Sequence, residues 1–371
     1  MKVAIIIKNL LVGGAQKQSI LLAKALKNSH DVIYVVLNVH NANKAYIRDL
    51  EHYKIEFYLF NEKGIFNFFK LSKLIKKKQI KVVFTYLVFD NLIGSLLKIK
   101  KDVKFLIGGV RNDTIPFRNF IFLKFLNNYV HNYTLFNNYS GRDKFVNRGF
   151  NNKKSIVIEN CFVPSEINKT FNTNNCIQIL SVGRFVKQKD YETAIKSINH
   201  LKKLLTNLNK AFHYTIIGYG TEFSVIKNLI TKFNLTSLIT LITNGNKISL
   251  NRYYAKADIF LNTSIFEGTS NSIMEAMGCG LPIVATNVGD NNRLVKNEFN
   301  GYITKIKNYE QIAEKLLKLI NNDTLRKEFS TNSYTLIKEN YSFEKFQNKY
   351  LELLNSLKNN EAPALKKKKK I

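Results

Sequence analysis

Short apolar runs alternating with helix-length stretches restrict this chain more than any other feature. Val3–Lys8, Asp31–Leu37, Ile55–Phe60, Val82–Tyr86, Val103–Ile107 and Tyr133–Asn137 read as strands. Ala15–Lys27, Phe66–Lys78 and Asn91–Lys100 read as helices between them, and Ser140 opens another. Strand and helix in such succession predict a doubly wound parallel sheet. The rhythm resumes with Ile177–Val182, Tyr214–Ile217, Ala257–Asn262 and Leu281–Ala285, and Asn300–Ile303 closes that second sheet. Helices then dominate, over Tyr309–Asn321, Thr324–Glu339 and Phe343–Lys358. Pro164–Asn175 is polar and without pattern, which predicts an interdomain linker. At 371 residues the chain is long for one core and comfortable for two. The expected class is α/β, with two Rossmann-like domains.

Composition narrows the surroundings. No uninterrupted apolar run is long enough to cross a bilayer, and Met1–Ile7 is too short for a signal peptide. Cys161, Cys176 and Cys279 form neither a metal spacing nor an even disulfide set, which predicts a reducing cytoplasm. A formal charge of +30 suits nucleic acid, an anionic membrane or a phosphorylated substrate, and partly reflects a Lys-, Asn- and Ile-rich composition. No zinc-finger spacing or RNA-recognition aromatic motif accompanies it, so nucleic acid lacks a reading element.

Chemistry concentrates in FEGTSNSIMEAMGCGLPIVAT, Phe266–Thr286. After the strand at Ala257–Asn262 comes a turn with Gly268, Thr269, Ser270 and Asn271. A helix through Ile273–Met277 follows, and Gly278, Gly280 and Pro282 stop it. Ligands of open α/β sheets bind beyond the carboxyl ends of the strands. A helix beginning there aims backbone N–H groups at the crevice, which suits a phosphate. Glu267 and Glu275 flank that position, one placed to hold sugar hydroxyls and the other a ribose. Taken singly, Glu267 also reads as a solvated loop residue and Glu275 as an ordinary helix residue; the whole pattern favours the site.

Gly183–Asp190 sets Arg184 and Lys189 beside a glycine at another strand end. Such cations suit a diphosphate, Arg through its bidentate fork and Lys as a point charge, while Lys187 reads as solvated. Gly218 and Gly220 form a glycine turn after the next strand. Gly13 and Gly14 make either a tight turn or a close approach to a ligand. The dinucleotide fingerprint G-x-G-x-x-G is absent there.

Glu267 and Glu275, separated by seven residues within EGTSNSIMEAMGCGLPIVATNVGD, resemble the E-x7-E signature of family 4 retaining glycosyltransferases. The resemblance covers nearly the whole chain, most strongly Ile179–Thr304. It implies the GT-B architecture, two Rossmann-like domains facing across a cleft. Residues 1–165 would bind the acceptor and 166–341 the nucleotide sugar; 342–360 would form a helix crossing back, and 361–371 a disordered basic tail.

The resemblance also implies chemistry: transfer of a hexosyl or N-acetylhexosaminyl group from a UDP-sugar or other nucleotide diphosphate-sugar. The acceptor would be a hydroxyl of a glycan or a polyprenyl-diphosphate-linked glycan, in cell-surface polysaccharide synthesis. Retention would follow a front-face course in which the diphosphate helps deprotonate the acceptor, with no cofactor. It assigns catalysis to Glu267, Arg184 and Lys189. It assigns donor binding to those cations, to Gly13, Gly14 and Gly218, and to Gly268, Thr269, Ser270, Asn271, Ser272 and Glu275. Arg111 and Asn112, where relatives often carry a histidine, and Asp290 would contact sugar or acceptor. Thr240–Asn246 and Lys247–Tyr254 would help form the base pocket, and Cys161 stands where relatives have a glycine. No D-x-D lies at a strand end, which predicts a reaction without metal. A nucleotide-sugar epimerase of GT-B architecture and a non-catalytic basic polyanion-binding protein are the rival readings. The first would need acid and base groups at the sugar and resembles the E-x7-E pattern poorly, and the second leaves the diphosphate residues unexplained.

Pro116–Leu126 is aromatic and basic, with more apolar residues than one helix face holds. It reads either as a core helix or as a surface against lipid or a lipid-linked acceptor. Lys70, Lys73, Lys76–Lys78, Lys98, Lys100, Lys101 and Lys104 either extend that basic face or are merely solvated. The tail Lys366–Lys370 either holds an anionic membrane or is an added sequence. The expected location is the cytoplasm, peripheral at the inner face of the cytoplasmic membrane.

Overall fold

Each apolar run of the first half becomes a strand. β1 (Lys2–Asn9) leads through α1 (Gly14–Leu26) to β2 (Asp31–Asn38), and α2 (Lys44–His52) links that to β3 (Glu56–Leu59). Then come α3 (Ile65–Lys77), β4 (Val82–Thr85), α4 (Val88–Ile99), β5 (Phe105–Val110), α5 (Phe117–Phe125), β6 (Tyr133–Phe136), α6 (Tyr139–Asn147) and β7 (Ser155–Val157). All pair in parallel, in the order β3-β2-β1-β4-β5-β6-β7. Val3–Ile7 of β1 are fully buried, as a central strand covered on both faces requires. This computed structural model describes residues 1–11, 13–40, 42–61, 65–163, 176–206, 210–243 and 250–359.

Handedness decides which face each helix covers. Right-handed crossovers put α3, α4 and α5, which all step the sheet from β3 towards β6, on one face. Leu71 and Ile75 of α3 and Leu97 of α4 accordingly share a core with Ala4, Ile6, Val35 and Val83. The step from β1 to β2 runs the other way and puts α1 on the opposite face. α5 has a core-facing side, as one reading of its sequence expected, and an exposed apolar side. Phe120 and Leu123 are buried with Phe136, Phe145 and Phe150, whereas Phe117, Ile121 and Phe125 are exposed. A π-helical turn, Leu126–Val130, carries it on towards β6.

The second sheet is built from β8 (Cys176–Val182), β9 (Ala211–Gly218), β10 (Ile239–Thr243), β11 (Ile259–Asn262), β12 (Ile283–Thr286) and β13 (Gly301–Thr304). Their order is β10-β9-β8-β11-β12-β13, again all parallel. Between strands lie α7 (Tyr191–Leu204), α8 (Phe223–Lys232), α9 (Asn251–Lys256), α10 (Asn271–Gly278) and α11 (Asn291–Leu294), and α12 (Tyr309–Asn321) and α13 (Asp323–Asn340) follow.

The chain forms two units, Met1–Cys161 together with the residues from Phe343 onward, and Phe162–Ser342. The final helix, α14 (Phe343–Asn359), therefore belongs to the first unit. Its Tyr350 meets Phe84 of β4 edge-on, with centroids 5.8 Å apart. Gln347 Nε2 donates to the Ala25 carbonyl at 2.6 Å, and Lys349 Nζ lies 2.8 Å from Glu159 Oε2. Gln18 of α1 clasps the end of the same unit, donating to the Cys161 carbonyl at 3.0 Å and accepting from its N–H at 3.1 Å. Among the described residues no helix is long and apolar enough to cross a membrane. The expected linker Pro164–Asn175, residues 244–249 of the expected base pocket and the lysine tail lie outside the described residues.

Candidate active site

Strand order reverses direction between β8 and β11 in the second unit, so the loops leaving these two strands diverge around a crevice. The loop after β8 is fastened on its outer side to the loop after β9. Gly183 N–H donates to Ile217 O at 3.0 Å, Phe185 N–H to Tyr219 O at 2.7 Å, and Glu222 N–H to Phe185 O at 2.9 Å. That zipper explains Gly218: a Cβ there would collide with the Gly183 carbonyl oxygen.

On its inner side the same loop is clamped to the loop after β11. It closes in a short 3₁₀ turn, Lys187–Lys189, and Asp190 then caps α7 by accepting from Thr193 Oγ1 at 2.7 Å. Thr263 Oγ1 donates to the Lys189 carbonyl at 3.0 Å, Ile265 N–H to Gln188 O at 2.9 Å, and Gln188 Nε2 to Phe266 O at 2.8 Å. These bonds bring Lys189 Nζ onto Glu267 Oε1 as an ion pair whose side chains are only 15% and 9% exposed. Ser264 Oγ donates to the same carboxylate oxygen at 2.8 Å. The Arg184 side chain, in contrast, is exposed and has no hydrogen-bond or ion-pair partner among the described residues. Lys187 is exposed too.

A third loop locks Glu267 from behind. Asp290 N–H donates to the Gly268 carbonyl at 3.2 Å, and Thr286 Oγ1 to the Ser264 carbonyl at 2.6 Å. Gly289 sits between them at φ +53°, and a Cβ on it would collide with the Glu267 carbonyl oxygen. Asp290 itself is buried, with one carboxylate oxygen 3.8 Å from Arg293 Nε. Thr269 and Ser270 are also buried, and α10 starts at Asn271 with no side-chain cap. The nearest hydroxyls, Ser270 Oγ and Ser272 Oγ, lie 3.2 Å from each other.

Glu275, half-buried on the second turn of α10, has a partner the sequence did not suggest. Tyr254 OH donates to its Oε2 at 3.1 Å. Burial, reinforced by the Glu275 charge, pushes the Tyr254 hydroxyl well above its ordinary range, so it stays a donor. The second unit thus gathers Lys189, Glu267, Gly268 and Asp290 directly, and sets Gly218 and Arg184 on the flanking loop.

In the first unit the reversal falls between β1 and β4. Gly13, in extended backbone, precedes α1, which begins at Gly14; the Gly13 carbonyl accepts from Tyr46 OH at 3.3 Å. The Arg111 guanidinium stacks 4.2 Å over the Tyr86 ring, and its Nε is buried without a hydrogen-bond partner among the described residues. Asn112 is exposed. Sequence reasoning passed over Asp90, in the first turn of α4. One of its oxygens accepts from Leu87 N–H at 2.9 Å, and burial pushes the carboxyl up to about 7. An acidic residue three positions into a helix that follows a strand end was the available signal.

Residues 164–336 match the family of glycosyl transferases group 1. The second unit is a group 1 glycosyl transferase domain. Over 353 residues the glycosyltransferase is 28% identical to an uncharacterized glycosyltransferase of Haemophilus influenzae, covering 90% of this chain and 94% of that protein. It is 28% identical over 152 residues to the UDP-Gal:alpha-D-GlcNAc-diphosphoundecaprenol alpha-1,3-galactosyltransferase of Escherichia coli, covering 41% of this chain and 38% of that one. Its fold matches the crystal structure of Anabaena HepE in complex with UDP and glucose. The TM-score is 0.83 at 17% identity, over 96% of this chain and all of the other. The expected pair of parallel-sheet α/β domains of the GT-B class is therefore the fold of this glycosyltransferase.

Proposed function

We propose that this glycosyltransferase moves a sugar from a nucleotide diphosphate-sugar, UDP-sugars foremost, to a hydroxyl of a lipid-linked glycan with retention of configuration. The setting is bacterial polysaccharide or glycoconjugate synthesis at the inner face of the cytoplasmic membrane. One observation carries the reading: the desolvated Lys189–Glu267 pair at the switch point, with the Arg184 side chain unpartnered among the described residues on the same loop. A site that holds a carboxylate against one cation and keeps a second uncommitted suits a ligand joining a hydroxyl-rich group to a diphosphate. The E. coli relative, whose name specifies UDP-Gal and a diphosphoundecaprenol acceptor, supports the substrate classes.

In this reading Arg184, Lys189 and the N-terminus of α10 meet the diphosphate, and Glu267 holds donor-sugar hydroxyls while orienting Lys189. Glu275, steadied by Tyr254, holds the ribose hydroxyls. We assign the acceptor to the first unit, with Gly13, Gly14, Arg111 and Asn112 as candidates to contact it. The acceptor oxygen forms its bond to the anomeric carbon on the face from which the diphosphate departs. The anomeric C–O bond breaks, and the acceptor proton passes to a phosphate oxygen. Fixed positive charge beside that leaving group stabilises the charge that develops there. No divalent ion is required. Glu267 is engaged by Lys189 and Ser264, and Asp258 accepts from Gln178 N–H at 2.8 Å.

The test is transfer to a polyprenyl-diphosphate-linked acceptor with a panel of UDP-sugars in excess EDTA, the product's anomeric configuration being read by NMR. Glu275→Ala and Arg184→Ala should each cost about a hundredfold or more, Lys187→Ala little, and Arg184→Lys should restore only part of the loss. Activity that needs added Mg²⁺, inversion at the anomeric carbon, or wild-type rates in both alanine variants would refute the assignment.

A further inference from the structure

We infer that the outer face of the α4–α5 layer docks on an anionic lipid bilayer and seats its apolar side chains at the headgroup boundary. The inference gives the proposed lipid-linked acceptor a place to be met and so rests on that reading for its purpose, but its geometry stands alone. Both helices lie on the same face of the first sheet, because both carry the chain in the same direction across it. Each buries an inner stripe, Gly94 and Leu97 on α4, Phe120 and Leu123 on α5. An ordinary surface helix presents polar residues on the opposite side. Here α4 presents Phe89, Leu92, Leu96 and Ile99, spaced three or four residues apart. α5 does the same with Phe117, Ile121 and Phe125, and Tyr129 continues the stripe beyond its end. Exposure reaches 64% at Ile99, 69% at Phe117 and 76% at Tyr129, so no element of the described fold covers them.

Charge selects the occupant. Lys8 Nζ lies 4.9 Å from the Phe89 ring, Lys104 Nζ 5.1 Å from Phe105, and Lys100 Nζ 5.8 Å from Phe69. Lys101 and Arg118 are exposed as well, and α3 borders the layer with exposed Lys70, Lys73, Lys76 and Lys77. The acidic residues between 88 and 130 are Asp90, Asp102 and Asp113, and all three carboxylates are buried. Aromatic and aliphatic groups ringed by cations, with no exposed carboxylate among them, fit the boundary between acyl chains and anionic headgroups. A second copy of the chain would set like charges against like.

The chain contains no tryptophan, which makes the test clean. Phe125→Trp installs a single tryptophan on the stripe, and Tyr334→Trp, at an exposed position of α13 in the second unit, serves as its control. With full-length protein and phosphatidylglycerol–phosphatidylcholine vesicles, emission from Phe125→Trp should shift to the blue and be quenched by brominated acyl chains. Emission from the control should do neither. Phe117→Ser/Phe125→Ser should weaken vesicle partitioning at least about tenfold, with unchanged melting and unchanged thermal shift by UDP. An unmoved fluorophore on vesicle-bound protein would mean lysine adsorption alone and would overturn the inference. So would light scattering that shows a dimer which the double serine variant dissociates. Failed docking with intact transfer removes only this inference; docking without transfer from any UDP-sugar removes only the proposed function.

Discussion

Asp90 shows what burial does to a single carboxyl. It has no exposed surface, and its pKa is pushed from 3.8 to about 7 mainly by desolvation. An acid that keeps its proton longer when folded than when unfolded favours the folded state most at low pH. Between about pH 4 and pH 7 the unfolded chain releases that proton first, so stability falls as pH rises. Asp90→Asn keeps an oxygen for the Leu87 N–H and has nothing to ionise. Thermal melts from pH 4 to pH 8 should therefore show the variant gaining on the parent by up to a few kcal/mol, on the order set by such a shift. Parallel curves across that range would mean that the carboxyl ionises in the folded state as easily as in water.

Among the elements, the loop from β12 to α11 depends on one residue. Gly289 combines a left-handed backbone with direct contact against the Glu267 carbonyl, so Gly289→Ala meets both strain and collision. It should cost about 1–3 kcal/mol of stability and, by displacing Glu267, reduce kcat more than tenfold while soluble protein is still obtained. A melt and a turnover assay at wild-type values would show that the loop yields without disturbing its neighbour. Most strands were readable from sequence because parallel strands buried on both faces leave continuous apolar runs; β10, a sheet-edge strand over residues expected in the base pocket, was not. α2 was not, since Leu50 is its one buried residue and too short an apolar stripe marks it. Periodicity showed that α5 carries too many apolar residues for one face; only the layer order reveals that Phe120 has a core behind it and Phe117 has none. The motif around Glu267 and Glu275 was visible, but their partners were not. Lys189 meets Glu267 across 78 positions, and Tyr254 reaches Glu275 from another helix. Such pairings depend on strand order, which no local pattern encodes.

At the scale of the molecule, the first unit is assembled from both ends of the chain while the second is one continuous stretch. α14 buries Phe346, Tyr350, Leu353, Leu354 and Leu357 in the first unit. At about 1.5–3 kcal/mol for each buried side chain, their loss rivals the 5–15 kcal/mol that typically holds a whole domain. A chain ending at Ser342 should therefore lose the cooperative melting of its first unit. The isolated segment 162–342 should melt cooperatively and keep its thermal shift with UDP. Two intact transitions in the shortened chain, by calorimetry, would show that α14 is dispensable.

The same discontinuity sets an order of events during synthesis. The strands from β1 to β7 leave the ribosome before the second unit, yet the helix that covers Phe84 is made only after it. In between, the whole second unit is translated, roughly ten to forty seconds at ordinary elongation rates. Throughout that interval the nascent first sheet has an uncovered apolar face beside α1, while the second unit already has everything it needs to close. Chaperones that grip exposed apolar chain therefore have their longest opportunity at the first unit, and release from it waits for α14.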